Sequence, residues 1–267
     1  MSEAVTAEGS QTQAIQPQER RLAGFWRRFR RNKLAVFGLA IVGVMLLTAA
    51  FAPLIAPSDP QAQDYGLTLQ PPGVGGLMGT DSLGSDVFSR VVFGARISLY
   101  SSLISVGIAL LIGVPVGLTS GYFRGIWDEW IVMRVVDSLQ AFPFLILALV
   151  IAAILGGGLG YAMIAIGTGH AGIMLRHVLP NSLPPLLVQT TLAVGYAIIA
   201  EATLSFLGLG AEPGQPSWGS MLFQAQSYLT TAWWMAFFPG MAIFFAVLGF
   251  NLLGDGVREA LDPRTYD

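Results

Sequence analysis

The chain has 267 residues, of which 54% are hydrophobic and only 11% are charged. A soluble domain carries about 25% charged residues, so the composition excludes an ordinary soluble protein and predicts a chain that crosses a membrane several times. The absence of cysteine excludes a disulfide framework or a thiolate metal site, and two histidines leave little material for a histidine metal site. The formal net charge of -2 is less informative than the positions of the basic residues.

The N-terminal arm, residues 1–33, divides into two parts. Its first nineteen residues are rich in Gln, Glu, Ala and Ser, a composition typical of a disordered tail. Seven of the chain's fourteen Lys and Arg residues then lie between Arg20 and Lys33. No comparable basic cluster follows the first apolar run, so the positive-inside rule predicts a cytoplasmic N-terminus.

The first apolar run, residues 34–56, predicts a membrane anchor. At 1.5 Å per residue, a helix of this length exceeds the roughly 30 Å hydrocarbon thickness of a bilayer. A cleaved signal peptide ending at Ala50-Phe51-Ala52 is the alternative, but the run is longer than the about 7–15 apolar residues of such peptides. Residues 57–96 then form an outer-side loop, and their prolines and glycines predict an irregular backbone.

Residues 97–255 are predicted to form the transmembrane core, followed by a cytoplasmic tail at 256–267. Apolar spans are expected at 97–121, 130–155, 186–207 and 232–253. The stretch 156–185 does not fit, because only Leu159 to Ile166 is continuously apolar and eight residues of helix reach only about 12 Å. This stretch is either re-entrant or lacks residues that a full crossing needs. Five crossings would put the tail outside, whereas six would return it to the cytoplasm.

Several short motifs follow one another along the chain, and in this order they are specific although each is weak alone. They are Gly79 to Arg90, Gly94 to Leu99, Met133-Arg134 with Asp137 and Pro143, Glu201 to Gly210, Pro216 to Gly219, Gly254 to Arg258, and Asp262 to Arg264. Through these motifs the chain resembles, from about residue 30 onward, the permease subunits of binding-protein-dependent ABC importers in the dipeptide, oligopeptide and nickel branch. The resemblance implies an all-α polytopic transmembrane helix bundle of six spans, of which this chain has five firm ones and one truncated segment.

The resemblance also implies a cytoplasmic coupling region at residues 167–185, which docks the ATPase subunits. Its candidate coupling residues are Gly167, Arg176, His177, Leu179 and Pro180. All but Arg176 match the second half of the family's motif, whereas Tyr161-Ala162-Met163 stand where Glu-Ala-Ala is expected. The simplest explanation is an internal gap of roughly thirty residues that ends near Gly167.

The physical reason for such a motif is that a short helix ended by a proline gives a soluble partner a rigid feature to grip. The alternative for this region is an interfacial loop whose Arg176 contacts lipid headgroups.

By resemblance, the expected partners are a second homologous permease subunit, two ABC ATPase subunits, a periplasmic or extracellular solute-binding protein and membrane lipids, in a bacterial inner membrane; no nucleic acid is expected. The chain has no Gly-x-x-x-x-Gly-Lys-Ser/Thr loop to bind ATP, and Lys33, its only lysine, lies among arginines. We therefore expect no cofactor in this chain and no enzymatic activity of its own, with ATP hydrolysis in partner subunits.

Three ionisable residues within predicted spans are candidates for a polar path or for interhelix contacts, because burying a charge in a bilayer costs a few kcal/mol. Arg134 and Asp137 are three residues apart, which also fits a local ion pair near the membrane boundary. For Glu201, substrate contact and structural hydrogen bonding remain equally open.

The outer-side motifs offer candidate contacts for the solute-binding protein. These are Asp81, Asp86, Arg90 and Trp218. The stretch from Gly79 to Arg90 is expected to form a short amphipathic element, whose alternative role is to seal the lipid edge as an interfacial helix.

The sequence therefore predicts a permease subunit of an ATP-driven importer that forms half of a translocation path, with peptides as the leading cargo and nickel or another small solute as alternatives. A self-contained secondary transporter, driven by protons through Glu201 and Asp137, is the alternative from another class. An intramembrane enzyme is a weaker alternative, because the chain has no His-Glu-x-x-His motif and no cysteine.

Overall fold

The computed structural model describes residues 18–122, 132–154, 183–211 and 214–261, and these residues are almost entirely helical. The helices are α1 (Gln18–Arg31), α2 (Lys33–Ala50), α3 (Ala52–Ile55), α4 (Val87–Tyr122), α5 (Met133–Gln140), α6 (Phe144–Ile154), α7 (Leu183–Phe206), α8 (Trp218–Ala225) and α9 (Trp234–Leu261). Within these ranges, extended pairing is limited to one isolated bridge between Thr80 and Asp86. The predicted all-α helix bundle is confirmed.

Four of these helices are long and apolar enough to cross a membrane. They are α2, the Val87–Gly117 part of α4, the Leu186–Phe206 part of α7, and α9. A fifth span is possible if α5 and α6 count as one, although the pair is bent by 95°.

The bend between α5 and α6 corrects the prediction of a continuous span at 130–155. It lies at Pro143, whose ring has no N–H to donate and restricts the residue before it to non-helical conformations. A new helix starts there, because the N–H groups of Ile146 and Leu147 donate to the Pro143 carbonyl at 2.9 and 3.1 Å.

The first and second spans also differ from their predicted limits. α2 ends at Ala50, and Pro53 falls in the first turn of the separate short helix α3. α4 begins at Val87 rather than near residue 97, because the Asp86 side chain accepts a hydrogen bond from the Ser89 N–H at 2.8 Å and so caps the helix.

α9 is the central helix of the bundle and packs most extensively on α7 and α2. Glycines allow the close approach to α2: a Cβ at Gly38 would lie 2.7 Å from Leu252 Cβ, and one at Gly249 would lie 2.8 Å from Ile41 Cγ2. Small residues at helix crossings are typical of membrane bundles, where packing rather than water exclusion holds helices together.

The N-terminal helix α1 lies against the end of α9. Phe29 is 3% exposed and shares a small apolar cluster with Ala35 and Ala260. The Asn32 side chain caps α2 by accepting from the Ala35 N–H at 3.0 Å, and its amide donates to the Glu259 carboxylate. The start of the first span and the end of the last therefore lie on one side of the bundle, here called the arm side.

The opposite end, here called the loop side, holds residues 52–86 and 207–233. Two indole N–H groups join these loops to the spans: Trp234 donates to the Thr80 carbonyl and Trp218 to the Val91 carbonyl, each at 3.0 Å. α4 and α9 therefore begin on the loop side, and α7 ends there.

These positions give the directions of the described spans. α4 is 36 residues long and thus ends on the arm side, and α7 starts on the same side because it runs in the opposite direction. The four described spans therefore place the start of α2 and the end of α9 on one side. Most of the connection between Tyr122 and Leu183 lies outside the described residues, so the six-span architecture and its five-crossing alternative stay predictions.

Single cysteines can test this arrangement, because the chain has none of its own. We expect Arg27→Cys and Arg258→Cys to react alike with a membrane-impermeant maleimide in intact cells, and Val74→Cys to react oppositely, because the first two positions lie on the arm side. Labelling after permeabilisation serves as the control for intrinsic reactivity. If Arg258→Cys and Val74→Cys are both modified in intact cells while Arg27→Cys is not, the end of α9 does not lie on the same side as α1.

Candidate functional site

The most strongly polar buried region lies on the loop side, where α4, α7, α8 and α9 meet. It has two parts, which we call the loop clamp and the serine–glutamate cluster. The loop clamp comprises Thr80, Asp81, Asp86, Arg90, Trp218, Gln224 and Trp234. The serine–glutamate cluster comprises Glu201, Ser205, Ser98 and Ser217.

An ion pair between Asp81 and Arg90 forms the centre of the loop clamp. The Arg90 Nη1 lies 2.7 Å from the Asp81 Oδ2, and their side chains are only 4% and 5% exposed. The second carboxylate oxygen of Asp81 accepts the backbone N–H groups of Leu83 and Ser85, each at 2.8 Å. Arg90 also donates to the Gln224 side chain at 3.1 Å, which connects α4 to α8. These hydrogen bonds offset part of the cost of burying the two charges, although the buried Arg90 Nε has no hydrogen-bond partner among the described residues.

The backbone around this pair makes a tight turn that requires glycine. Gly84 has a φ of +76°, and a Cβ at this position would lie 1.7 Å from the Asp64 carbonyl oxygen. The turn leads to Asp86, which caps α4 through both the N–H and the hydroxyl of Ser89, at 2.8 and 2.6 Å. The stretch from Gly79 to Arg90 is thus a folded turn and helix cap, not the separate amphipathic element predicted from its sequence.

Trp218 attaches α8 to the start of α4. Its side chain is 1% exposed, its indole N–H donates to Val91, and its ring lies so close to Gly94 that a Cβ there would come within 2.7 Å of Cδ1. The residue before it, Ser217, begins α8 in a capping box with Ser220. The sequence motif from Pro216 to Gly219 is therefore a helix start that fits into a glycine-lined recess.

This geometry bears on the predicted binding-protein contacts. Asp81, Arg90 and Trp218 are buried and Asp86 is half-buried, so the structure uses these side chains to build the loop side. Their direct contact with a partner stays a prediction. The loop surface itself has large exposed apolar side chains that the sequence reasoning missed: Tyr65, Leu67, Val74 and Leu77, with exposures of 69, 45, 73 and 72%. Isolated apolar residues in a long polar loop were the available signal.

Glu201 is the central residue of the serine–glutamate cluster and is completely buried. Its Oε1 accepts a hydrogen bond from the Ser205 hydroxyl at 2.8 Å, one turn along α7. The hydroxyls of Ser98 on α4 and Ser217 before α8 lie near this carboxyl group. The other oxygen, Oε2, has no hydrogen-bond partner among the described residues. Glu201 is thus bonded within α7 and lies close to α4 and to the start of α8.

The serines of α4 form a buried stripe next to this carboxyl group. Ser101, Ser102 and Ser105 donate back to carbonyls of their own helix at 2.7 to 3.1 Å, so these hydroxyls can be buried without leaving unsatisfied donors. Their small size also lets α4 lie close to α7. Serines in this stretch were not identified from the sequence, although their spacing of three and four residues could have indicated one helix face.

The other two predicted polar residues lie elsewhere. Arg134 and Asp137 are on α5, and both side chains are exposed, in contrast to the buried Glu201. The three residues thus share no common environment, and their predicted role in a path or between helices stays a prediction. Across the described ranges, no three His, Asp or Glu side chains group in a way that could hold a metal ion.

The predicted coupling residues Gly167, Arg176, His177, Leu179 and Pro180 lie outside the described residues. Their role stays a prediction at this point.

Comparisons with known proteins agree with the membrane architecture. Residues 21–72 match the N-terminal TM domain of oligopeptide transport permease C, and residues 158–266 match the binding-protein-dependent transport system inner membrane component.

Similar relatives extend along most of the chain. A dipeptide transport system permease protein of Alkalihalophilus pseudofirmus is 39% identical, and the match covers 90% of this chain and 88% of that protein. A glutathione transport system permease protein of Escherichia coli is 40% identical over 90% of this chain and 89% of that protein. A putative peptide transport system permease protein of Brucella abortus is 38% identical over 89% and 90%.

The alignments are longer than the part of this chain that they cover. Ninety per cent of 267 residues is about 240, yet the alignment with the Alkalihalophilus protein is 270 positions long, which leaves about 30 positions without a residue of this chain. A single gap that ends near Gly167 stays a prediction. With its helical bundle, its two family matches and its relatives of near-equal extent, the chain belongs to the permease subunits of binding-protein-dependent ABC importers, in the dipeptide and oligopeptide branch.

Proposed function

We propose that this permease subunit and a second, homologous one enclose a path through which a bacterial inner membrane importer moves peptides or similar small solutes. The observation that carries the proposal is 38 to 40% identity, over about 90% of the chain, to permeases described for dipeptides, peptides and glutathione. The relatives favour this function over the proton-driven alternative. The separation of buried Glu201 from exposed Asp137 also gives that alternative no paired proton carriers.

In this proposal, the arm side is cytoplasmic. The basic residues from Arg20 to Lys33 lie at the start of the first span on this side. The predicted coupling residues precede α7, which starts on the arm side at Leu183. Pro180 is only three residues before Leu183 in the sequence, so we propose that the coupling region faces the same side. Two ATPase subunits would dock there and supply the energy, since the sequence has no phosphate-binding loop.

α7 provides a mechanical connection between the two sides. It is one 24-residue helix that starts next to the coupling region and holds Glu201 near its other end. A displacement at its start would therefore change the position of Glu201 relative to Ser98 and Ser217. Such a change would open or close the loop side, as alternating access requires.

The solute-binding protein would approach from the loop side. We propose that the exposed apolar side chains of Tyr65, Leu67, Val74 and Leu77 provide its contact surface, whereas the loop clamp beneath keeps this surface in shape. A surface with both apolar and polar side chains suits a partner that binds and leaves, because transient interfaces are smaller and less apolar than permanent ones.

Co-purification tests the proposed function. We expect a tagged wild-type chain to retain ATPase subunits encoded near it, and Leu179→Arg or Gly167→Leu to reduce their recovery at least about tenfold, because both changes disrupt the docking feature. Leu187→Ala, an exposed position on α7, is the matched control and should retain them. Full ATPase recovery with both coupling variants would contradict the assigned docking region.

The buried carboxyl group can be tested by replacing it with an isosteric amide. We expect Glu201→Gln to keep labelled-dipeptide uptake within about twofold, because the amide still accepts a hydrogen bond from a serine. Glu201→Ala should lower the free energy of unfolding by about 1–3 kcal/mol, since it leaves serine hydroxyls unpaired. Thr203→Ala on the same helix is the control, because the Thr203 hydroxyl donates to the Ile199 carbonyl of that helix. Abolished uptake in Glu201→Gln with unchanged stability would instead favour a proton carrier.

The loop clamp predicts a large stability effect. Asp81→Ala should destabilise the purified protein by about 3–5 kcal/mol, because it leaves the Arg90 charge buried without its partner. Asp59→Ala removes an exposed carboxylate from the same loop and should cost no more than about 0.5 kcal/mol. The measurement is thermal unfolding in detergent. Equal midpoints for the two variants would show that the ion pair does not hold the loop.

A further inference from the structure

The outward face of α1 carries positive charges and an aromatic ring close to the start of the first membrane span. Trp26 is 47% exposed, and Arg27, Arg30, Arg31 and Lys33 are exposed as well. Lys33 is also the first residue of the first span, which begins two residues after α1 ends. The exposed face of α1 therefore lies at the level where the hydrocarbon ends and the lipid headgroups begin.

The inward face of the same helix is fixed. Phe29 is buried against Ala35 and Ala260, and Phe25 packs on the same cluster. The Asn32 side chain adds a polar bond to Glu259 while it caps α2. α1 is thus a docked helix, and its basic face has a set direction away from α9.

The charges near this face remain strongly unbalanced. From Gly24 to Lys33 the chain has five basic residues and no acidic one, and the last turns of α9 contribute only Asp255 and Glu259 against Arg258. Glu259 already accepts the bond from Asn32. The Arg30 guanidinium lies over the Trp26 ring at 5.6 Å from its centroid, a cation–π contact that orients the side chain.

We propose that this face of α1 is a binding site for the phosphate headgroups of anionic phospholipids in the arm-side leaflet. Clusters of four to eight Lys or Arg next to a membrane span attract anionic lipids, and the guanidinium group matches a phosphate with two parallel donors. Trp26 supplies the amphipathic ring that favours the interface. Bound lipid would hold α1 against the end of α9 and so stabilise the contact between the first and last spans. The proposal concerns lipid binding and does not depend on which solute is transported.

Lipid selectivity of the purified chain tests this site. The full-length chain is reconstituted without ATPase subunits in phosphatidylcholine bilayers, and spin-labelled phosphatidylglycerol and phosphatidylcholine are compared by electron spin resonance. We expect the wild type to prefer phosphatidylglycerol. The quadruple variant R27Q, R30Q, R31Q, K33Q should lower this preference at least about fivefold, since the loss of even one basic side chain near the surface changes binding by about that factor. Raising the salt concentration should lower the lipid preference of the wild type but not that of the quadruple variant.

A charge-preserving variant separates the site from a general loss of structure. R27K, R30K, R31K keeps the charges and should retain most of the preference. The glutamine variant keeps Arg20, Arg21 and Arg28, and labelling of Arg258→Cys in that background checks that its orientation is unchanged. An unchanged lipid preference in the glutamine variant would overturn the proposal, as would an equal loss in the lysine variant. Loss of ATPase co-purification at an unchanged lipid preference would assign this face to a protein partner instead.

Discussion

The loop side depends on one buried ion pair. Asp81 and Arg90 are in contact at 2.7 Å with almost no exposure. Asp81 accepts the N–H groups of its own turn, Arg90 reaches α8 through Gln224, and the adjacent Thr80 carbonyl receives the Trp234 indole from α9. Loss of either partner would leave an uncompensated buried charge, so the pair favours one arrangement of the loop.

The serine–glutamate cluster also reflects the need of a buried polar group for hydrogen-bond partners. Glu201 lies near the loop-side end of α7, where it accepts the Ser205 hydroxyl and lies near the hydroxyls of Ser98 and Ser217. The neighbouring serines of α4 donate within their own helix. The loop clamp and the serine–glutamate cluster are adjacent, because Trp218 and Ser217 are neighbours in the chain. A change in the position of α7 would therefore also change the contacts of the loop clamp.

The two sides of the bundle are held by different forces. On the loop side, buried hydrogen bonds and one buried ion pair join the loops to the helices. On the arm side, close packing of Phe29, Ala35 and Ala260 brings the first and last helices together, with Asn32 and Glu259 as a polar supplement. Because of this contact, the first span begins and the last span ends on one side of the described bundle. A cationic helix docked at this position places the chain's densest positive charge beside the membrane surface.

The amino-acid sequence was sufficient to establish the class of protein, since apolar runs of 18 residues or more have few stable alternatives to spanning a bilayer. The family was also recognisable, because a series of weak motifs in one order is specific. The bend at Pro143 was readable in principle, since proline cannot continue a helical hydrogen-bond ladder.

Other features depended on contacts between residues far apart in the chain. The motif from Gly79 to Arg90 gave no sign that Arg90 would meet Gln224, and Glu201 gave none that Ser98 would reach it; these partners are more than 100 residues away in sequence. Local patterns report propensity and hydrophobicity, which act over a few residues. Which polar groups are buried together depends on how the helices pack, because a buried polar group is tolerated when packing brings a hydrogen-bond partner next to it.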